Sequence, residues 1–247
     1  MTGVQTCALP IYHDARYRRT DEYMGVMKRV WTETTPFDHD GEFYRFEQNL
    51  SEVRTFQKPH VPLYFGGASD VAKEVGAKRA DVYALWGEPL ASIKEQIGDI
   101  RARAAKYGRT IKFSVSVRPI LGDTEGEAWE RAQGILERVK SSVGDTIGPG
   151  KPARLQSEGS RRLLDFASQG DIHDKRLWMP IAATTGAAGN TTALVGTAEQ
   201  VAESLLAYHK AGADAFIIRG FDPMQDTIDW GKELIPMVRD GAAALAK

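Results

Sequence analysis

The chain has 247 residues, a formal net charge of −1 and an ordinary apolar fraction, which suits one globular domain with a real core. Near-neutral charge gives no case for nucleic acid or an anionic membrane surface as partner, and no run approaches the roughly 20 apolar residues of a membrane span. A single cysteine excludes an internal disulfide framework and fits a reducing, cytoplasmic setting.

The first eleven residues, MTGVQTCALPI, hold that cysteine, one proline and no charge. They lack the positive n-region and apolar stretch of a signal peptide. Nothing basic lies nearby in sequence to activate Cys7. Read back into codons from a GTG start, they reproduce a common sequencing-library adaptor. Residues 1–11 are therefore expected to be a non-native segment, with the natural chain starting further upstream.

Residues 14–32 form a helical pattern, with Tyr23, Val26, Met27, Val30 and Trp31 on one stripe. FDHDGEFYRF carries turn chemistry at Asp40-Gly41 between aromatic runs and predicts a hairpin, with His39 as a turn residue. After Pro62 a strand–helix rhythm begins. VPLYFGG, DVYALWG, IKFSVSVRPIL and DAFIIRG read as strands. SDVAKEVGAKR, LASIKEQIGDIRARAAKYG, a helix from Thr124 to Val139 and one over 222–239 read as helices. Thr124 with Glu127, and Thr197 with Gln200, are capping-box patterns, the second opening a helix to Lys210. Residues 145–190 break the rhythm as an insertion with one helix near Ser160–Ser168.

Strand–helix alternation means a parallel sheet covered by helices. No GxGxxG follows the first strand, which weakens a Rossmann reading. A (βα)8 barrel needs eight units in about 250 residues, and only four appear. The expectation is an α/β TIM-barrel truncated at its N-terminus, with residues 12–247 supplying the last four units plus the insertion.

In such barrels chemistry sits at the C-terminal strand ends. The end at Gly66-Gly67-Ala68-Ser69-Asp70 reads as a phosphate cradle at a helix N-terminus, or as an ordinary capped turn. Trp86 reads as the wall of a planar ring, or as a core aromatic. Along the third strand, period two separates Phe113, Val115, Val117 and Pro119 from Ser114, Ser116 and Arg118. The polar row points to a wet cavity, or to an exposed rim. Arg219 ends the fourth strand. With Arg118 it would make an anion clamp, and the alternative is a local pair with Asp222. Asn190-Thr191-Thr192 matches a glycosylation acceptor by chance, and the acidic residues lie mostly on helix faces and read as solvated surface. His13, His60, His173 and His209 have no metal-ligand spacing, and no metal is expected.

The stretches HDARYRRTDEY, FDHDGEFYRFE, QKPHVPLYFGGASDVA, DVYALWGEP, GNTTALVG and RGFDPMQD resemble the bacterial-luciferase-like flavin-dependent monooxygenases, nearest the alkanesulfonate and dimethylsulfone branch. The resemblance implies reduced FMN as co-substrate, delivered by a separate NAD(P)H-dependent flavin reductase. It implies a peroxyflavin that oxidises a small organosulfur compound, and a homo-oligomer for the full-length parent. Carried over by position, Gly67, Ala68 and Ser69 match the phosphate turn. His13, Arg16 and Tyr17 match the segment beside it, Trp86 the tryptophan near the flavin ring, and Gly186 to Asn190 a mobile lid. Arg118, Arg219, Trp86 and Ser116 are the expected catalytic set. The chain departs from that branch in having Ser116 and Arg118 where an Arg and a His stand, Phe221 for a Tyr, Arg219 for a small residue, and no Arg in the lid. Alternatives are an F420-dependent oxidoreductase of the same superfamily, or a non-catalytic half-barrel.

Overall fold

The computed structural model describes residues 13–143 and 157–245. The segment 1–11, with Cys7, and the stretch 145–156 of the insertion lie outside the described residues. Helix α1 (His13–Thr32) leads into an antiparallel hairpin, β1 (Phe37–Asp40) and β2 (Arg45–Asn49). Glu22 on α1 holds the hairpin: it accepts from the Phe43 and Tyr44 amides and bonds His39 at 2.8 Å.

Four parallel strands follow: β3 (Tyr64–Gly66), β4 (Val82–Trp86), β5 (Lys112–Leu121) and β9 (Ala215–Ile218), in the spatial order β3-β4-β5-β9. The first three are followed by α2 (Asp70–Arg79), α3 (Leu90–Lys106) and α4 (Glu125–Val143). After β9 comes one helical run, α8 (Pro223–Asp229), a π-turn over Trp230–Leu234 and α9 (Ile235–Leu245). This is the expected half of an α/β barrel, four parallel strands with their helices. The C-terminal helix begins where the sequence places it and runs beyond the expected 239.

The helices form for visible local reasons. Ser69 caps α2 by accepting from the Ala72 amide. Thr124 and Glu127 exchange hydrogen bonds before α4. Thr197 and Gln200 do the same at the start of α7 (Ala198–Lys210). On α3 the stripe Ile93, Ile97, Ile100 and Ala104 is fully buried against the sheet.

The insertion holds more than the single expected helix. After α5 (Glu158–Gln169) come a short hairpin, β6 (Ile172–His173) and β7 (Leu177–Trp178), then α6 (Pro180–Thr184) and β8 (Ala193–Gly196). β7 pairs antiparallel with β8, and β8 pairs parallel with the end of β5, Arg118 to Leu121. The Gly87 amide donates to the Ser116 carbonyl at 2.8 Å. Two residues further along that edge, the Arg118 amide donates to the Thr192 carbonyl at 3.0 Å. β5 therefore changes neighbour, from β4 to β8, between Ser116 and Arg118. A second apolar cluster gathers over this extension. It joins Ile120, Ala193 and Val195 to Ala128, Ala132, Ile135 and Leu136 of α4, with Trp178 and Ile181.

Candidate functional site

In a parallel ladder paired residues share a face. The register pairs Ala84, Ser114 and Ala215 in one row, with Gly66 beside Ala84. It pairs Trp86, Ser116 and Ile217 in the next. Arg118 and Arg219 head that same concave face. The opposite face carries Phe65, Tyr83, Phe113, Leu85, Val115, Phe216, Val117 and Ile218, packed under the helices. The two faces of β5 are those its alternation predicts.

Arg118 is half-buried and held at three points. Its Nε donates to the Asn190 carbonyl at 3.0 Å, its Nη1 donates to the Gly220 carbonyl at 3.2 Å, and its guanidinium lies 4.8 Å from the Phe221 ring centroid. Burial, and then repulsion from Arg219, pull its pKa below the ordinary value. Among the described residues neither arginine has a carboxylate partner. Asp222 does not neutralise Arg219: it caps α8 by accepting from the Gln225 amide.

Asn190 is the hub that sequence reasoning missed. Its carbonyl receives Arg118, its Nδ2 donates to the Ser116 hydroxyl at 2.7 Å, and its Oδ1 accepts from Thr192 at 3.2 Å. The end of the 186–190 segment is thereby tied to the inner face.

Two buried carboxylates are exceptions to the expectation that acidic residues lie mostly on solvated helix faces. Glu88, 3% exposed, follows Trp86-Gly87. It takes Arg162 of α5 on both oxygens (3.0 and 2.7 Å), with Ser92 and Gln96. Asp226, 2% exposed, pins the turn after β9 by accepting from the Phe221 and Asp222 amides and from Arg131 of α4. Gly220 can approach it only because it lacks a Cβ. Asp226 could have been suspected from its place in the first turn of α8, where orphan amides need acceptors, whereas Glu88 accepts only from side chains.

At the expected phosphate end, α1 brings Tyr17 to the turn after β3. The Tyr17 hydroxyl lies 3.4 Å from where a Gly67 Cβ would stand, and that Cβ would come within 2.6 Å of the Ala72 methyl. Tyr17 packs edge-on to His13 (5.0 Å) and to Phe65 (6.4 Å). Arg16 is exposed on α1. Ser69 caps α2, and the Asp70 carboxylate beside it is drawn off by Arg103 at 2.9 Å. A bare Gly67 backbone beside a tyrosine hydroxyl and a helix N-terminus fits the phosphate of a flavin. Further in, the Ser114 hydroxyl is buried with no hydrogen-bond partner among the described residues, a polar atom left over on the face where the ring would lie.

Among the described residues no group of three or more His, Cys, Asp or Glu could hold a metal ion, and no helix is long and apolar enough to cross a membrane. Clefts of about 290 Å³, beside Leu90, Leu177 and Tyr208, and about 400 Å³, beside Glu22, His39 and Arg79, lie away from these strand ends. The candidate site is the open concave face itself.

Fold and strand order together define half of an α/β barrel, and residues 3–215 match the family model "Luciferase-like monooxygenase". The chain belongs to that family. Its fold is similar to riboflavin lyase RcaE, solved with modified FMN and riboflavin (TM-score 0.71, 22% identity, 92% of this chain and 58% of that one). It is similar to DmoA from Hyphomicrobium sulfonivorans (0.71, 20%, 94% and 57%). It is also similar to an F420-dependent secondary alcohol dehydrogenase solved with an F420-acetone adduct (0.61, 15%, 96% and 66%). The chain thus spans less than two thirds of each of these solved chains.

Proposed function

We propose that this site serves an FMNH2- and O2-dependent monooxygenase of a small organosulfur anion, an alkanesulfonate or a related sulfone-derived acid. A separate NAD(P)H-dependent flavin reductase would supply the reduced flavin. The observation that carries the reading is the pair Arg118 and Arg219, two cations at neighbouring strand ends with no carboxylate partner among the described residues. A half-buried arginine without a counter-ion is costly, and an anionic ligand relieves that cost.

In this reading Gly67, Ala68 and Ser69 hold the flavin phosphate through backbone amides, beside Tyr17, His13 and Arg16. Trp86 walls the ring. Bound reduced flavin supplies the electrons that activate dioxygen. The chain's own residues then bind and orient. Arg118, fixed by Asn190, Gly220 and Phe221, and Arg219 hold the oxyanion. The Ser116 hydroxyl already accepts from Asn190, so its own proton is free to donate into the cavity. The apolar floor and the 186–190 segment exclude water.

The test is binding. FMN and F420 are titrated in parallel into the wild-type chain and Gly67→Val, and methanesulfonate into wild type and Arg118→Met. FMN binding weakened tenfold or more by Gly67→Val, with methanesulfonate binding lost in Arg118→Met, is the expected result. Preference for F420 would move the protein to the deazaflavin branch. Methanesulfonate binding unchanged in Arg118→Met would remove the anion clamp.

A further inference from the structure

Helix α5 begins Ser157-Glu158-Gly159-Ser160, with Ser157 as its cap. A glycine in a helix is a cost that alanine would remove, so its presence asks for a reason. The reason is proximity. A Cβ on Gly159 would stand 3.1 Å from Cζ3, 3.3 Å from Cε3 and 3.7 Å from Cη2 of Trp86. The bare backbone of α5 therefore lies against the benzo edge of the indole that heads the second inner-face row.

That contact is braced from both sides. Arg162, on the same helix, grips buried Glu88 two residues beyond Trp86. The Ser160 hydroxyl donates to the Ala187 carbonyl at 2.8 Å, tying the helix to the 186–190 segment. Ring, helix and segment are one connected unit, and the close approach at Gly159 sets the ring's attitude.

We propose that Gly159 is a positioning residue for Trp86: α5 fixes the plane of the indole that walls the flavin and links it to the 186–190 segment. The functional consequence rests on the reading of Trp86 as a flavin wall, and the experiment separates the two. Gly159→Ala, Trp86→Phe and the double variant are made in the full chain. Near-UV circular dichroism, with Trp86→Phe as the subtraction, isolates Trp86 from the other four tryptophans. FMN affinity is read by fluorescence quenching and folding by urea titration.

A purely structural helix glycine predicts that alanine leaves the Trp86 signal alone and urea resistance equal or higher. Positioning predicts instead that Gly159→Ala changes the Trp86 signal by half or more, and that the same substitution is silent in the Trp86→Phe background. FMN affinity should fall about fivefold in Gly159→Ala alone. An unchanged Trp86 signal overturns the proposal. A changed signal with unchanged FMN affinity supports the positioning and overturns the flavin-wall reading instead. If Gly159→Ala fails to fold, rescue by the double variant supports the contact, and failure of the double variant overturns it.

Discussion

The half-barrel and the annex built on it solve one strand in opposite ways. From Lys112 to Ser116, β5 runs between β4 and β9, with its apolar face under helices and its polar face toward the cavity. From Pro119 to Leu121 it lies beside β8, and every residue is buried. The barrel part thus leaves its inner face open at Ser116 and Ile217, with Ser114 buried beneath, while the annex closes both faces. Arg118 stands at the changeover, the last inward residue before the second core begins. A strand that changes partner can carry a cation at a depth where neither region alone would tolerate it.

The sharpest way to break this comparison is to remove a buried carboxylate of the half-barrel that ties its last strand–helix unit to α4, the helix the annex packs on. Asp226 anchors the turn below Arg219 and pairs with Arg131 of α4. Asp226→Ala should cost about 3–5 kcal/mol, the range for breaking a buried pair, measured by urea unfolding. Hydrogen exchange should rise first in 219–222 and along α4. Equal loosening of β3 and β4 would mean that the two regions are one cooperative unit.

A smaller effect is expected at the seam. A Cβ on Gly87 would meet Val117 Cγ1 at 2.5 Å and Thr192 Oγ1 at 2.8 Å. Gly87→Ala should cost about 1–3 kcal/mol by overpacking. The β5–β8 amides should exchange faster while α2 and α3 stay protected. Uniform protection would show that the junction is not where the regions join.

The gentlest probe is acid. Arg176, with Gln200 and Trp129, hydrogen-bonds Glu125 and holds its carboxyl at about 2, below the ordinary 4.5. A depressed carboxyl stabilises the folded state fully above its ordinary value, and that contribution is lost as pH falls through about 2. The stability difference between wild type and Glu125→Gln should therefore be constant from pH 7 to pH 5 and shrink towards zero near pH 2. A difference that persists at pH 2 would mean that the side chain acts through packing rather than charge.

The legible parts of the sequence were those governed by local rules. The two capping boxes, the isoleucine stripe of α3 and the alternation of β5 need only spacing, and each stands where spacing puts it. That Arg118 and Arg219 stand on neighbouring strand ends followed from the strand order. What stayed hidden depends on contacts distant in sequence. β8 is four residues long and pairs with a strand more than seventy residues earlier. Asn190 looked like a loop residue because its partners Ser116 and Arg118 come from that same distant strand. Glu88 looked solvated because its arginine lies 74 residues away. The roles of the site residues rest on the binding and variant experiments.

The changeover in β5 also has a consequence for error. A strand displaced by one residue turns all its side chains to the other side. β5 is held in register by three neighbours, β4, β9 and β8, on two edges. No single ladder can slip without the others, so whether Arg118 faces inward is a matter of parity counted three times over. The charge at the mouth of the cavity is thus protected less by bond strength than by redundancy, as a message is protected by being copied.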